Sequence, residues 1–101
     1  MRRHKIMISP DAREMIKKHI YFLAQVSPEA AKRLKKEMMS DIRSLEQMPE
    51  RFPLCDLEWA NPDFRKMLVA GRYLVFFLIV GGTVYVEYVV DGRQDYKWIL
   101  Q

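Results

Sequence analysis

The chain reads as an α+β fold, a helical hairpin packed on a small antiparallel β-sheet in the order β-α-α-β-β-β. Three observations predict this. Ser-Pro-acid-Ala occurs twice, at residues 9–12 and 27–30, as two helix starts eighteen positions apart. Residues 73–80, YLVFFLIV, form an apolar run of eight. Gly81-Gly82 then separates that run from an alternating segment at 83–90.

The first element is Lys5-Ile6-Met7-Ile8, a short strand with Ile6 and Ile8 on one face. Ser9 follows as an N-cap, with Pro10 at the first helical position and Asp11 where the helix dipole favours a carboxylate. Ala12, Ile16, Ile20, Leu23 and Ala24 recur at helical spacing, and the second start at Ser27 ends this helix near Gln25. The second helix carries Ala31, Leu34, Met38, Ile42, Leu45 and Met48 on one stripe, opposite a solvated face of Lys32, Lys35, Lys36 and Arg43. Methionines at that spacing read as packing residues.

Residues 49–64 carry Pro49, Pro53 and Pro62 and no clean period, which marks a connector. Phe52, Trp59 and Phe64 are the side chains expected to pin it to the body. Arg65 to Ala70 reads as a strand, Gly71 as a tight turn and Arg72 to Val80 as the next strand. That strand is apolar on both faces and belongs in the middle of the sheet, with helices over one side. Gly81-Gly82 fits a two-residue type I′ hairpin, whose central residues both need positive φ. The last strand alternates Val84, Val86, Tyr88 and Val90 against Tyr85, Glu87 and Val89.

Composition sets the class. At 101 residues the chain is expected to be one domain over 1–101 with a single modest core. Half the residues are apolar and 30% are charged, which suits a soluble globule. Charge is uneven. Residues 1–48 hold 11 Lys/Arg against 6 Asp/Glu, a balance of +5, whereas 49–101 hold 6 against 7, a balance of −1. A basic half suits an acidic partner, nucleic acid or peptide, and is equally the signature of a solvated lysine-rich face. Cys55 is the only cysteine, so an intrachain disulfide is excluded, and no Cys/His cluster has zinc spacing. No cofactor or metal is called for. The basic N-terminus is too short of apolar residues for a signal peptide, and the run at 73–80 falls far below the roughly 20 residues of a membrane span. The expected location is the cytoplasm.

The residues after the last strand, DGRQDYKWIL, place Arg93, Asp95, Tyr96 and Trp98 together in a polar-aromatic tail. A core has no use for an arginine there, so function is expected at this end. His4 and His19 read as surface residues, His19 falling in the middle of the first helix.

The element order, the GRYLVFF strand at 71–77 and the arginine-bearing tail together resemble the RelE/ParE superfamily, the toxins of type II toxin–antitoxin pairs. The resemblance covers nearly the whole chain in organisation. It implies a cognate antitoxin that wraps the toxin, oligomers formed through it, and one of two activities. Some members cut messenger RNA on the ribosome; others poison DNA gyrase without a nuclease site. Following the nuclease branch, Arg65 and Lys66 match the basic pair after the connector, Arg72 the cation of the next strand and Arg93 the one after the last. Tyr96 or Trp98 stands near the position of its terminal Tyr or His. Met67 stands where a second basic residue is usual, and no histidine follows His19.

In metal-free RNA cleavage the 2′-OH attacks its own phosphorus, and guanidinium groups offset the charge of the phosphorane. Arg65, Arg72, Arg93 and Tyr96 are therefore the candidate catalytic residues, with Lys66, Asp95 and Trp98 as candidate substrate contacts. Each has a structural alternative: a salt bridge from Arg93 to Asp91 or Asp95, a turn charge at Arg72, a sheet-edge Tyr96, a packing anchor at Trp98. The leading expectation is ribosome-dependent mRNA cleavage. Gyrase inhibition without catalysis, or a degenerate toxin acting only in its antitoxin complex, are the alternatives.

Overall fold

The computed structural model describes residues 3–55 and 61–93. Strand β1 (Lys5–Ile8) leads into helices α1 (Pro10–Val26) and α2 (Pro28–Arg43); β2 (Arg65–Val69), β3 (Tyr73–Val80) and β4 (Thr83–Asp91) follow. The sheet order is β1-β4-β3-β2. β2, β3 and β4 are antiparallel neighbours, as the sequence implies, but β1 pairs parallel with β4, so the sheet is mixed. A parallel pair needs a crossover, and the whole helical hairpin plus two strands intervene between β1 and β4.

Two serines organise the hairpin. The Ser9 hydroxyl accepts the Ala12 N–H at 3.0 Å, and the Ser27 hydroxyl accepts the Ala30 N–H at 3.2 Å. Ser27 also donates its backbone N–H to the Leu23 carbonyl, so one residue closes α1 and opens α2. Such caps contribute about 1 kcal/mol each. α2 stops at Arg43 and Leu45 stays on the core through a 3₁₀ turn (Ser44–Glu46). Met48 departs from the expected stripe: it is exposed and left-handed, φ 47°. Pro49 cannot continue a helix, and Arg51 draws in the carbonyls of Ser44, Gln47 and Met48 instead.

The main core lies between helices and sheet, where Leu34, Met38, Ile42 and Leu45 meet Met67, Val75, Phe77 and Val86. A smaller cluster on the other face joins Cys55 and Phe64 to Phe76 and Val90. Phe76 and Phe77 are fully buried on opposite faces of β3, each contributing on the order of 3 kcal/mol. The connector straddles the β2 edge. Phe52 meets Phe77 edge-on at 6.1 Å on the helix side, and Phe64 meets Phe76 and Tyr88 at 6.4 and 5.9 Å on the other. Trp59 lies outside the described residues.

Two local expectations are corrected. Of the Gly81-Gly82 pair only Gly81 has positive φ, 60°, the pattern of a type II′ turn. The two consecutive positive φ values occur at Ala70 and Gly71, 55° and 65°. Ala70 takes this strain, about 1 kcal/mol, because the Arg72 N–H closes the turn on the Val69 carbonyl at 3.1 Å. In β4 the register slips: Phe76 faces Tyr88 but Phe77 faces Val86, leaving Glu87 as an extra residue. This bulge reverses the alternation, so Val84, Val86 and Val89 face the helices while Tyr88 and Val90 face away. The Ser9 hydroxyl donates to the Glu87 carbonyl at 3.1 Å, which ties the bulge to the start of α1.

Candidate functional site

The tail of β4 and the β2–β3 turn meet at one corner of the sheet. Asp91, the last residue of β4, pairs across from Tyr73 and is buried, 6% exposed. Arg72 donates from Nε and Nη2 to Asp91 Oδ2 at 3.1 and 2.7 Å, and the Arg93 N–H donates to Oδ1 at 3.0 Å. The hydrogen bond from Arg72 holds the Asp91 carboxyl below the usual carboxylate range against the opposing effect of burial, with the Arg93 N–H helping. The same bond raises the Arg72 guanidinium. Gly92 fits because its N–H donates to the Arg72 carbonyl at 2.8 Å; a Cβ there would stand 2.7 Å from that oxygen.

Of the sequence candidates, this corner gathers Arg72 and Arg93. Arg72 also stacks on Tyr73, 5.3 Å from the ring centroid, and is the structural partner of Asp91. The alternative pairing of Arg93 with Asp91 therefore occurs through its backbone, while the Arg93 side chain is exposed. Arg65 is elsewhere. It sits opposite Phe77, four residues up β3 from Tyr73, roughly 13 Å along the strand. There Nη1 donates to the carbonyls of Glu50 and Phe52 at 3.2 and 2.7 Å, clamping the connector. Lys66, its neighbour, points to the opposite face, since Met67 faces the helix-side core. Asp95, Tyr96 and Trp98 lie outside the described residues.

His19 belongs to the corner, contrary to its reading as a surface residue. Its Nε2 lies 2.8 Å from the Val89 carbonyl, and the ring tilts on Tyr73 at 5.0 Å. A carbonyl only accepts, so Nε2 carries the proton and donates. Helical phase was the missed signal: at about 100° per residue, His19 falls between Ile16 and Met15 on the buried stripe.

The helical hairpin offers a second kind of surface. A groove of about 660 Å³ runs between α1 and α2, with Ile16, Ile20 and Met39 in its floor and Arg13, Lys17 and Lys35 on its rim. Tyr21, Phe22 and Val26 at the hairpin tip are exposed. Among the described residues no helix is long and apolar enough to cross a membrane, and no cluster of three His, Cys, Asp or Glu could hold a metal.

A solved structure described as the chromosomal ParDE TA system from P. aeruginosa has the same fold: TM-score 0.72, 12% identity, covering 87% of this chain and 95% of that one. No curated protein matches in sequence. The family of the ParE toxin of the type II toxin–antitoxin system, parDE, matches residues 6–96, and the chain belongs to that family. It is thus the toxin of a two-protein system, with a cognate antitoxin as its partner.

Proposed function

We propose that this toxin arrests growth as a non-enzymatic inhibitor of DNA gyrase, with the cation-rimmed groove between α1 and α2 as the seat of its antitoxin. The observation that carries the reading is the dispersal of the candidate nuclease cations. Arg65 is spent on connector carbonyls, Arg72 on Asp91, and the two stand at opposite ends of β2–β3. A phosphorane needs convergent cations; of the four candidate cations only Lys66 and Arg93 have side chains free of a partner among the described residues, and Lys66 stands at the far end of β2 beside Arg65. Membership of the ParE family supports the same choice over ribosome-dependent mRNA cleavage. The gyrase target places the action in the cytoplasm.

The groove supports the second half of the proposal. Its apolar floor and three-cation rim complement an amphipathic helix with an acidic flank. In a purified supercoiling assay the toxin is expected to abolish gyrase activity, and addition of antitoxin to restore it. In a reconstituted translation reaction the mRNA is expected to stay intact. Cleavage of that mRNA, lost in Arg93→Ala, would overturn the gyrase reading.

A further inference from the structure

We propose that the outer flank of α2 binds the phosphate backbone of duplex DNA along a cationic track from Lys32 to Arg43. At 3.6 residues per turn, Lys32, Lys35, Lys36 and Arg43 fall within an arc of about 100°, and Glu37 and Asp41 fall on the other side. Glu29 is the one carboxylate on the cationic flank, and it sits at the first turn, where it complements the helix dipole. All four cations are exposed, and none makes an ion pair among the described residues.

The track is shaped as well as charged. A depression of about 550 Å³ is lined by Lys32, Lys35, Lys36, Met39, Ser40 and Arg43. It opens, through Ser40 and Arg43, into a basin of about 560 Å³ where Arg3 and Arg51 add two further guanidinium groups. Arg51 is fixed there by the Ser44 carbonyl at 3.4 Å and the Ser44 hydroxyl at 2.9 Å, and Glu46 offsets Arg3 at 3.8 Å. Lys32 to Arg43 spans about 16 Å of helix, a length over which duplex DNA presents roughly nine charges.

The chemistry separates this surface from the neighbouring groove. A peptide helix docks through apolar anchors, and among the described residues the flank offers only Met39, whereas the groove beyond Lys35 has an apolar floor. Single-stranded nucleic acid is held by aromatic stacking, and among the described residues no aromatic side chain lines the track. A straight row of cations and serines fits a duplex backbone. The choice of DNA over RNA rests on the gyrase reading: a toxin acting on gyrase meets its DNA substrate.

Fluorescence anisotropy of the full chain with a 20-base-pair DNA of arbitrary sequence, without gyrase, tests this. Four neutralised phosphates predict a log–log salt slope of about −3.6. Lys32→Glu/Lys36→Glu/Arg43→Glu is expected to weaken binding about a hundred-fold at 100 mM salt. The charge-matched Arg13→Glu/Lys17→Glu/Lys18→Glu on α1 should weaken it no more than about three-fold, because those cations lie off the track. Circular dichroism checks that both variants are folded. Equal losses in the two variants would reduce the effect to net charge and overturn the proposal, as would absence of binding at 50 mM salt. Tighter binding to duplex RNA would overturn the DNA assignment, and tighter binding to polyglutamate would assign the flank to an acidic protein. Because gyrase is absent, failure here leaves the supercoiling result standing, and a failed supercoiling assay leaves the measured duplex binding standing while removing the ground for choosing DNA over RNA.

Discussion

At the corner where the β2–β3 turn meets the end of β4, cation and carboxylate answer each other; on the outer flank of α2, four cations make no ion pair among the described residues. Arg72 and Asp91 are 2.7 Å apart, and the pair fixes the backbone of Arg93 through Asp91 Oδ1. Among the described residues, Lys32, Lys35, Lys36 and Arg43 are held by nothing but their helix. The difference teaches which charges belong to the fold and which await a partner. A charge already neutralised by a buried neighbour contributes stability and has little left to offer a ligand. An unpaired exposed row does the opposite: lysines repel one another weakly in water and release counterions when a polyanion arrives.

The sharpest way to break this contrast is to remove the buried carboxylate. Asp91→Asn keeps the shape but loses the charge-assisted bonds to Arg72, and should cost about 2 kcal/mol, or on the order of 10 °C in Tm. Arg72 is 28% exposed on its side chain and rehydrates, which keeps the loss from being larger. The same pair carries a pH signature. Because the folded Asp91 carboxyl is depressed, its contribution is complete above the ordinary carboxylate pKa of about 4 and fades as pH falls below that value. Thermal melts from pH 7 to pH 3 should therefore show wild type and Asp91→Asn converging below about pH 4. Parallel curves throughout would mean the pair does not stabilise the fold.

At the other extreme, Lys36→Gln should change stability by no more than about 0.5 kcal/mol, since an exposed unpaired lysine contributes little. A cost comparable to Asp91→Asn in urea denaturation would erase the distinction between the two regions.

The sequence displayed the helical hairpin well because both of its starts rest on local chemistry: a serine, a proline and an acid in consecutive positions. The central strand was equally plain, since YLVFFLIV leaves no polar face. What it concealed depends on partners distant in the chain. The bulge at Glu87 has no local signature; its carbonyl is satisfied by Ser9, seventy-eight residues earlier. The parallel pairing of β1 with β4 likewise has no local mark. Arg65 looked like a substrate cation because nothing near it in sequence announces the carbonyls of Glu50 and Phe52. Arg72 was weighed as a turn charge, and its carboxylate partner comes nineteen residues later. His19 was legible in principle, from its helical phase, but its polarity led it to be read as a surface residue. The tail at 94–101, which holds Asp95, Tyr96 and Trp98, lies outside the described residues.

The most direct test of the central claim, that this toxin acts through gyrase and not through RNA chemistry at the Arg72–Arg93 corner, is a paired mapping in one induced culture. RNA 5′ ends and gyrase-linked DNA breaks would be sequenced minutes after expression of the wild type. The account predicts growth arrest with new DNA breaks and an unchanged set of 5′ ends. New in-frame 5′ ends without DNA breaks would contradict it.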